Sequence, residues 1–120
     1  MWIFCKYGFF SAVQHKDKTD KLLIRARFEG DLERLTGSLP ENERKLCSSI
    51  TETPHADYRF RMEIPKCVFS KVMERITEEI DYTNFKDSVH EGNGSRRDFA
   101  YMRCWAELRH WQDCQAKADR

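Results

Sequence analysis

The sequence predicts an α+β fold: a single antiparallel sheet of about four strands in ββαββα order, with helices packed on it and a long C-terminal helix. Three observations carry this reading. Tyr58 to Ile64 alternates strictly, with Tyr58, Phe60, Met62 and Ile64 on one face and Arg59, Arg61 and Glu63 on the other. A period of two marks a strand with one buried side. Val68, Phe69, Val72, Met73, Ile76 and Ile80 recur at i, i+3 and i+4, the apolar stripe of an amphipathic helix. The opening segment, Met1 to Val13, reads as a strand that is apolar on both faces, so a helix, a partner or a ligand must cover its second side.

Within that opening strand, Trp2, Phe4, Gly8, Phe10 and Ala12 fall on one face and Ile3, Cys5, Tyr7, Phe9 and Val13 on the other. His15 to Lys21 is polar and reads as a hairpin loop. Ile24, Ala26 and Phe28, with Leu22, form the buried face of a second strand, while Arg25 and Arg27 face the other way. Leu32, Leu35 and Leu39 give a short helix within Glu29 to Leu39, limited by Gly37 and Pro40. Glu41 to Lys45 reads as a charged loop, and Leu46 to Thr53 as a weakly alternating strand. Pro54-His55-Ala56-Asp57 is turn chemistry. Pro65 suits the first position of the next helix because its missing N–H is not needed there. The strand-then-helix order at Arg25 to Phe28 loosely echoes Arg61 to Ile64.

Asp81 to Glu91 is ambiguous, with Tyr82, Phe85 and Val89 as packing residues. Gly92-Asn93-Gly94 is a break, and Ser95 is placed as the cap of a final helix with Asp98 three residues on. That helix should run from about Arg96 to Cys114, with Tyr101, Cys104, Trp105, Leu108 and Trp111 on a wide apolar face extended by Phe99 and Met102. It either covers the second face of the sheet or mediates a dimer. The tail beyond about residue 115 is expected to fray.

The 120 residues fit one domain. A hydrophobic fraction of 40% is globular rather than disordered. The net charge of +1 argues neither for nor against nucleic acid, so any basic surface must be local. No apolar run approaches the length of a membrane span, and no secretory leader pattern opens the chain. Cys5, Cys47, Cys67, Cys104 and Cys114 are an odd set without close pairing. Free thiols acting as small apolar side chains in a cytoplasmic protein are therefore expected.

No specific catalytic or cofactor motif is present. His55, Asp57 and Glu63 cannot form one acid–base site, because Glu63 lies roughly 20 Å along the strand. His110 and Cys114, one turn apart, are only two of the ligands a zinc site needs. The best candidate surface is the arginine side of the sheet. It gathers Arg25, Arg27, Arg59 and Arg61, with Lys6 beside either Trp2, Phe4 and Phe10 or Tyr7 and Phe9, depending on register. Arginines between exposed aromatics suit a nucleic acid or another polyanion; cross-strand pairing of the arginines with Glu29, Asp57 and Glu63 is the alternative. The run from Lys6 to Val13 resembles the basic-glycine-aromatic strand of RNA-recognition domains, but it falls on the first strand and lacks the partner motif. Ser95, Arg96 and Arg97 form a candidate anion loop at a helix start. Trp2, Trp105 and Trp111 are candidates for a protein interface.

Met1-Trp2-Ile3-Phe4, Lys6-Tyr7-Gly8-Phe9, Thr53-Pro54, Asp57-Tyr58-Arg59, Ile80-Asp81-Tyr82 and Asn84-Phe85-Lys86 together resemble a family of small uncharacterised bacterial proteins whose chains close with a Trp-containing helix. The resemblance implies one compact fold and no particular chemistry. The leading expectation is a non-enzymatic binding or regulatory module with a protein partner or a second copy of itself. Nucleic-acid binding on the arginine face is the first alternative and a small enzyme the second. No cofactor and no membrane contact are expected.

Overall fold

The computed structural model describes residues 1–90 and 96–120. The chain divides into two compact units, Met1–Ile80 and Asp81–Arg120.

The first unit carries an antiparallel sheet of five strands in the order β1-β2-β3-β5-β4. These are β1 (Trp2–Cys5), β2 (Gly8–Gln14), β3 (Lys21–Ala26), β4 (Thr51–Glu52) and β5 (Phe60–Pro65). The helices of this unit are α1 (Glu29–Gly37), α2 (Glu41–Arg44) and α3 (Lys66–Glu78).

The fifth strand appears because the opening segment is a hairpin rather than one strand. Cys5 pairs with Gly8 across a turn at Lys6 and Tyr7, and Trp2 pairs with Ser11. Gly8 sits at φ 144°, a region that side chains avoid. A Cβ there would lie 2.3 Å from the Asp31 carboxyl carbon. Asp31 on α1 is itself buried and accepts the Phe9 backbone N–H at 3.2 Å. The turn also shifts the alternation by one. Ile3 and Cys5 join Gly8, Phe10 and Ala12 on the helix side, and Trp2 and Phe4 join Phe9 and Ser11 on the other. The surplus of apolar residues therefore reflects two short strands, not one strand covered on both sides.

The core forms between the sheet and the helices. Phe10, Ala12, Ile24, Ala26, Met62 and Ile64 from the strands meet Leu32, Leu35, Leu39, Val68, Phe69 and Val72 in one cluster. The expected stripe of α3 holds, although Ile80 lies beyond the helix and is exposed. Phe28 is exposed too, because β3 ends at Ala26 and Phe28 serves as the extended residue that starts α1. Tyr58 leaves the expected row with Phe60: β5 begins only at Phe60, and Tyr58 turns its ring to the arginine side. The weak strand expected over Leu46 to Thr53 reduces to Thr51–Glu52. The charged loop at Glu41 folds as one helical turn whose Glu43 carboxylate accepts bonds from Arg75 at 2.8 and 3.1 Å.

In the second unit, α4 (Phe85–His90) packs on α5 (Arg97–Ala118). The Phe85 and Tyr101 rings stack at 6.0 Å, and the Lys86 ammonium lies 4.6 Å from the Trp105 ring centroid. Only Tyr101 of the expected apolar face is buried; Phe99, Met102, Trp105, Leu108 and Trp111 are exposed. The helix continues to Ala118, past the point where fraying was expected. Ser95, expected as its cap, lies outside the described residues.

The five cysteines are free thiols. Only Cys5 is buried, so the expectation of small core side chains fails for Cys67, Cys104 and Cys114, which are exposed. Among the described residues, no helix is long and apolar enough to cross a membrane.

Candidate functional site

The sheet face opposite α1 and α3 carries four of the expected candidates, Trp2, Arg25, Arg27 and Arg61. Trp2, Ser11, Arg25, Arg61 and Thr51 are successive register partners, crossing β1, β2, β3, β5 and β4 in one row. Arg25 and Arg61 therefore stand directly opposite each other. Like charges so placed destabilise a sheet unless something compensates them. Among the described residues, no carboxylate forms an ion pair with Arg25, Arg27 or Arg61.

Neutral groups hold these three arginines. Arg25 Nη2 donates to Ser11 Oγ at 2.9 Å. Arg27 Nη1 donates to the Asp57 carbonyl at 2.8 Å. Arg61 Nη2 donates to the Tyr58 carbonyl at 3.3 Å. The Arg25 and Arg27 guanidinium carbons each lie 4.7 Å from the centroid of the Tyr58 ring. Tyr58 is buried. A ring face attracts a guanidinium without cancelling its charge for a distant anion. The Nε atoms of Arg25 and Arg61 are both buried and have no hydrogen-bond partner. Each such N–H costs about 1–3 kcal/mol if left unmet.

An aromatic group adjoins the arginines on the same face. Phe4 and Phe9 stack at 4.5 Å with their planes 24° apart. Trp2 meets Phe9 edge-on at 6.2 Å, and Phe9 lies 6.4 Å from Tyr58. Phe9 thus links the exposed rings to the buried Tyr58. Trp2 is the most exposed of these rings, at 72%.

The remaining candidates lie elsewhere. Arg59 pairs with Glu52 at 2.7 Å at the edge of the sheet, so its charge is spent locally. Lys6 sits in the β1–β2 turn and pairs with Glu79 at 3.0 Å, beside the end of α3. Glu79 also accepts the Tyr7 hydroxyl at 2.6 Å. The Tyr7 bond and the Lys6 ammonium hold the Glu79 carboxyl below its ordinary range, while burial and Glu79 push the Tyr7 hydroxyl up. Glu63 is engaged by Lys18 at 3.1 Å and His15 at 2.8 Å. These bonds lower its carboxyl pKa and tie the β2–β3 loop to β5, not to the arginines. Arg97 donates to its own helix neighbour, the Tyr101 hydroxyl, at 2.8 Å, and Arg96 is exposed. The third member of that proposed loop, Ser95, is not among the described residues. Trp2 belongs to the first unit, and Trp105 and Trp111 to the second.

The spacing of His110 and Cys114 does bring them together, at 3.6 Å. Among the described residues, no group of three or more His, Cys, Asp and Glu side chains converges on one point.

Sequence reasoning missed Tyr58 and Ser11 as the residues that hold the arginines. Tyr58 was assigned to the core by an alternation that stops two residues short of it. Ser11 carried a signal, as a polar residue inside an apolar run, but its meaning depends on the hairpin register. Comparisons with protein-family models, with curated proteins and with solved structures return no match.

Proposed function

We propose that this chain is a binding module whose arginine-bearing sheet face takes a polyanion. One observation carries the reading. Arg25 and Arg61 oppose each other across the sheet, Arg27 adjoins them around Tyr58, and no carboxylate among the described residues pairs with any of the three. An anionic ligand would relieve that repulsion. A solvated arginine face would instead be expected to draw on nearby acids; Glu52 pairs with Arg59, Glu63 with His15 and Lys18, and the Asp57 carboxylate accepts the Tyr58 N–H at 2.9 Å.

The test is fluorescence anisotropy with a labelled oligothymidylate at low and moderate salt. Binding in the micromolar range that weakens as salt rises is expected, since each phosphate contact releases counterions. Three arginines give a slope of roughly −2 in log K against log salt. Arg27→Glu and Arg61→Gln should each weaken binding and flatten that slope. Arg59→Gln, which removes an arginine already paired with Glu52, should leave both nearly unchanged. Absence of salt-sensitive binding, or indifference to Arg27→Glu and Arg61→Gln, overturns the reading.

A second reading has its own support. Trp105, Leu108 and Trp111 are all more than half exposed on α5, a large apolar surface of the kind that marks a protein interface. On that reading the second unit takes a protein partner or another copy of this chain. Sedimentation of the wild type against a Leu108→Glu/Trp111→Glu variant tests the self-association branch; a monomer at high concentration in both cases removes it.

A further inference from the structure

The polyanion reading leaves the chemistry of the ligand open, and the aromatic half of the same face narrows it. We infer that the ligand is a single-stranded nucleic acid, with a base stacked on Trp2 and the phosphate backbone running over Arg25, Arg27 and Arg61. This inference rests on the polyanion reading and adds a ligand class to it.

The first ground is juxtaposition. Trp2 and Arg25 lie in one row, separated only by Ser11. That is two strand spacings, roughly 10 Å. A chain of nucleotides can therefore place a base on one and a phosphate on the other. The second ground is support. Phe9 stacks against Phe4, meets the Trp2 edge and approaches Tyr58, so the exposed rings are held by packing and are not loose surface side chains. Every base has a ring face, and stacking of this kind tolerates any sequence. The third ground is shape. A duplex presents its bases edge-on within grooves that admit a helix or a two-stranded ribbon. A sheet face bearing aromatic rings can stack only bases already free of a duplex. A polyanion without bases, or an acidic protein, would use the arginines and leave Trp2 without a partner.

The experiment uses the full chain and three probes: a single-stranded oligothymidylate, its duplex with oligoadenylate, and inorganic polyphosphate. Affinities are measured for the wild type and for Trp2→Ala, with circular dichroism confirming that the variant is folded. Emission of Trp2 is followed in a Trp105→Phe/Trp111→Phe background. The inference expects the single strand to bind at least tenfold more tightly than the duplex or polyphosphate. Trp2→Ala should weaken single-strand binding by roughly tenfold, the scale of one lost base stack, and leave polyphosphate binding unchanged. Stacking should also quench Trp2 emission. Equal affinity for all three probes, together with indifference to Trp2→Ala, overturns the inference and leaves the polyanion reading standing. Failure to bind any of the three overturns both.

Discussion

At the scale of single residues, the first hairpin depends on an exchange between Gly8 and Asp31. Gly8 takes a φ that L side chains avoid, and the space a Cβ would need is filled by the Asp31 carboxyl group. Asp31 uses that proximity to satisfy the Phe9 N–H and to pair with Arg34. Gly8→Ala therefore meets backbone strain and a clash together. It should lower stability by more than about 1 kcal/mol, the usual scale for a Gly→Ala change at a compatible position, here with the sign reversed. Urea unfolding followed by circular dichroism measures it, and an unchanged midpoint would contradict the geometry. Because Phe9 props both Trp2 and Phe4, the same substitution should also weaken any binding that uses those rings. Glycine in an apolar run was visible in the sequence, but its role was not. The turn Lys6-Tyr7 lacks the Asn-Gly or Asp-Gly pair that normally announces a two-residue hairpin, and the partner that enforces it, Asp31, lies 23 positions away.

At the scale of elements, legibility followed how completely one face was buried. β3 and β5 were readable because Ile24, Ala26, Met62 and Ile64 are almost fully buried while Arg25, Arg61 and Glu63 are not. The stripe of α3 was readable for the same reason. The elements that escaped are held by local polar contacts, which leave no period. The one-turn helix α2 is the clearest case. Its Glu43 reaches α3, where Arg75 donates two bonds and Lys71 adds an ion pair at 3.4 Å. The Arg75 bonds, with the charges of Arg75 and Lys71, lower the Glu43 carboxyl pKa despite the opposing effect of burial. A carboxyl whose folded value lies below its unfolded value stabilises the fold above the unfolded value, and that contribution disappears as the pH falls through the folded one. Glu43→Gln should therefore destabilise the protein at neutral pH. The gap between variant and wild type should close on acidification through the carboxylate range, as read from urea midpoints across that range. A gap that stays constant with pH would place the contribution of Glu43 in packing rather than in charge. Glu63 and Glu79 are lowered in the same direction, so the comparison between variant and wild type, not the pH profile of either, isolates this pair.

At the scale of the whole molecule, a net charge of +1 conceals the arrangement that matters. Charge balance is a property of the sum, whereas the arginine face depends on where the acids are committed. Its members come from β3, β5 and the segment around Tyr58, and its aromatic half from β1 and β2. All of them fall within Met1–Ile80. The buried cluster that shapes the sheet also lies wholly within that unit, from Cys5 to Val72, with Ile76 the last residue packed against it. The residues named above for the core and for the arginine face all belong to this unit. A chain ending at Ile80 should therefore unfold cooperatively in urea and bind oligothymidylate with affinity and salt dependence comparable to those of the full chain. The second unit would then be free for a separate role, consistent with the exposed Trp105, Leu108 and Trp111. Cooperative folding with loss of binding would mean that the second unit contributes to the site. Loss of folding would mean that the two units are stable only together, as the sequence-based expectation of one domain holds. The distinction matters because Tyr101 is the only residue of α5 that is buried. A helix of 22 residues with so little cover is a marginal structure unless its apolar side chains find a partner, and the truncation separates that question from the function of the sheet.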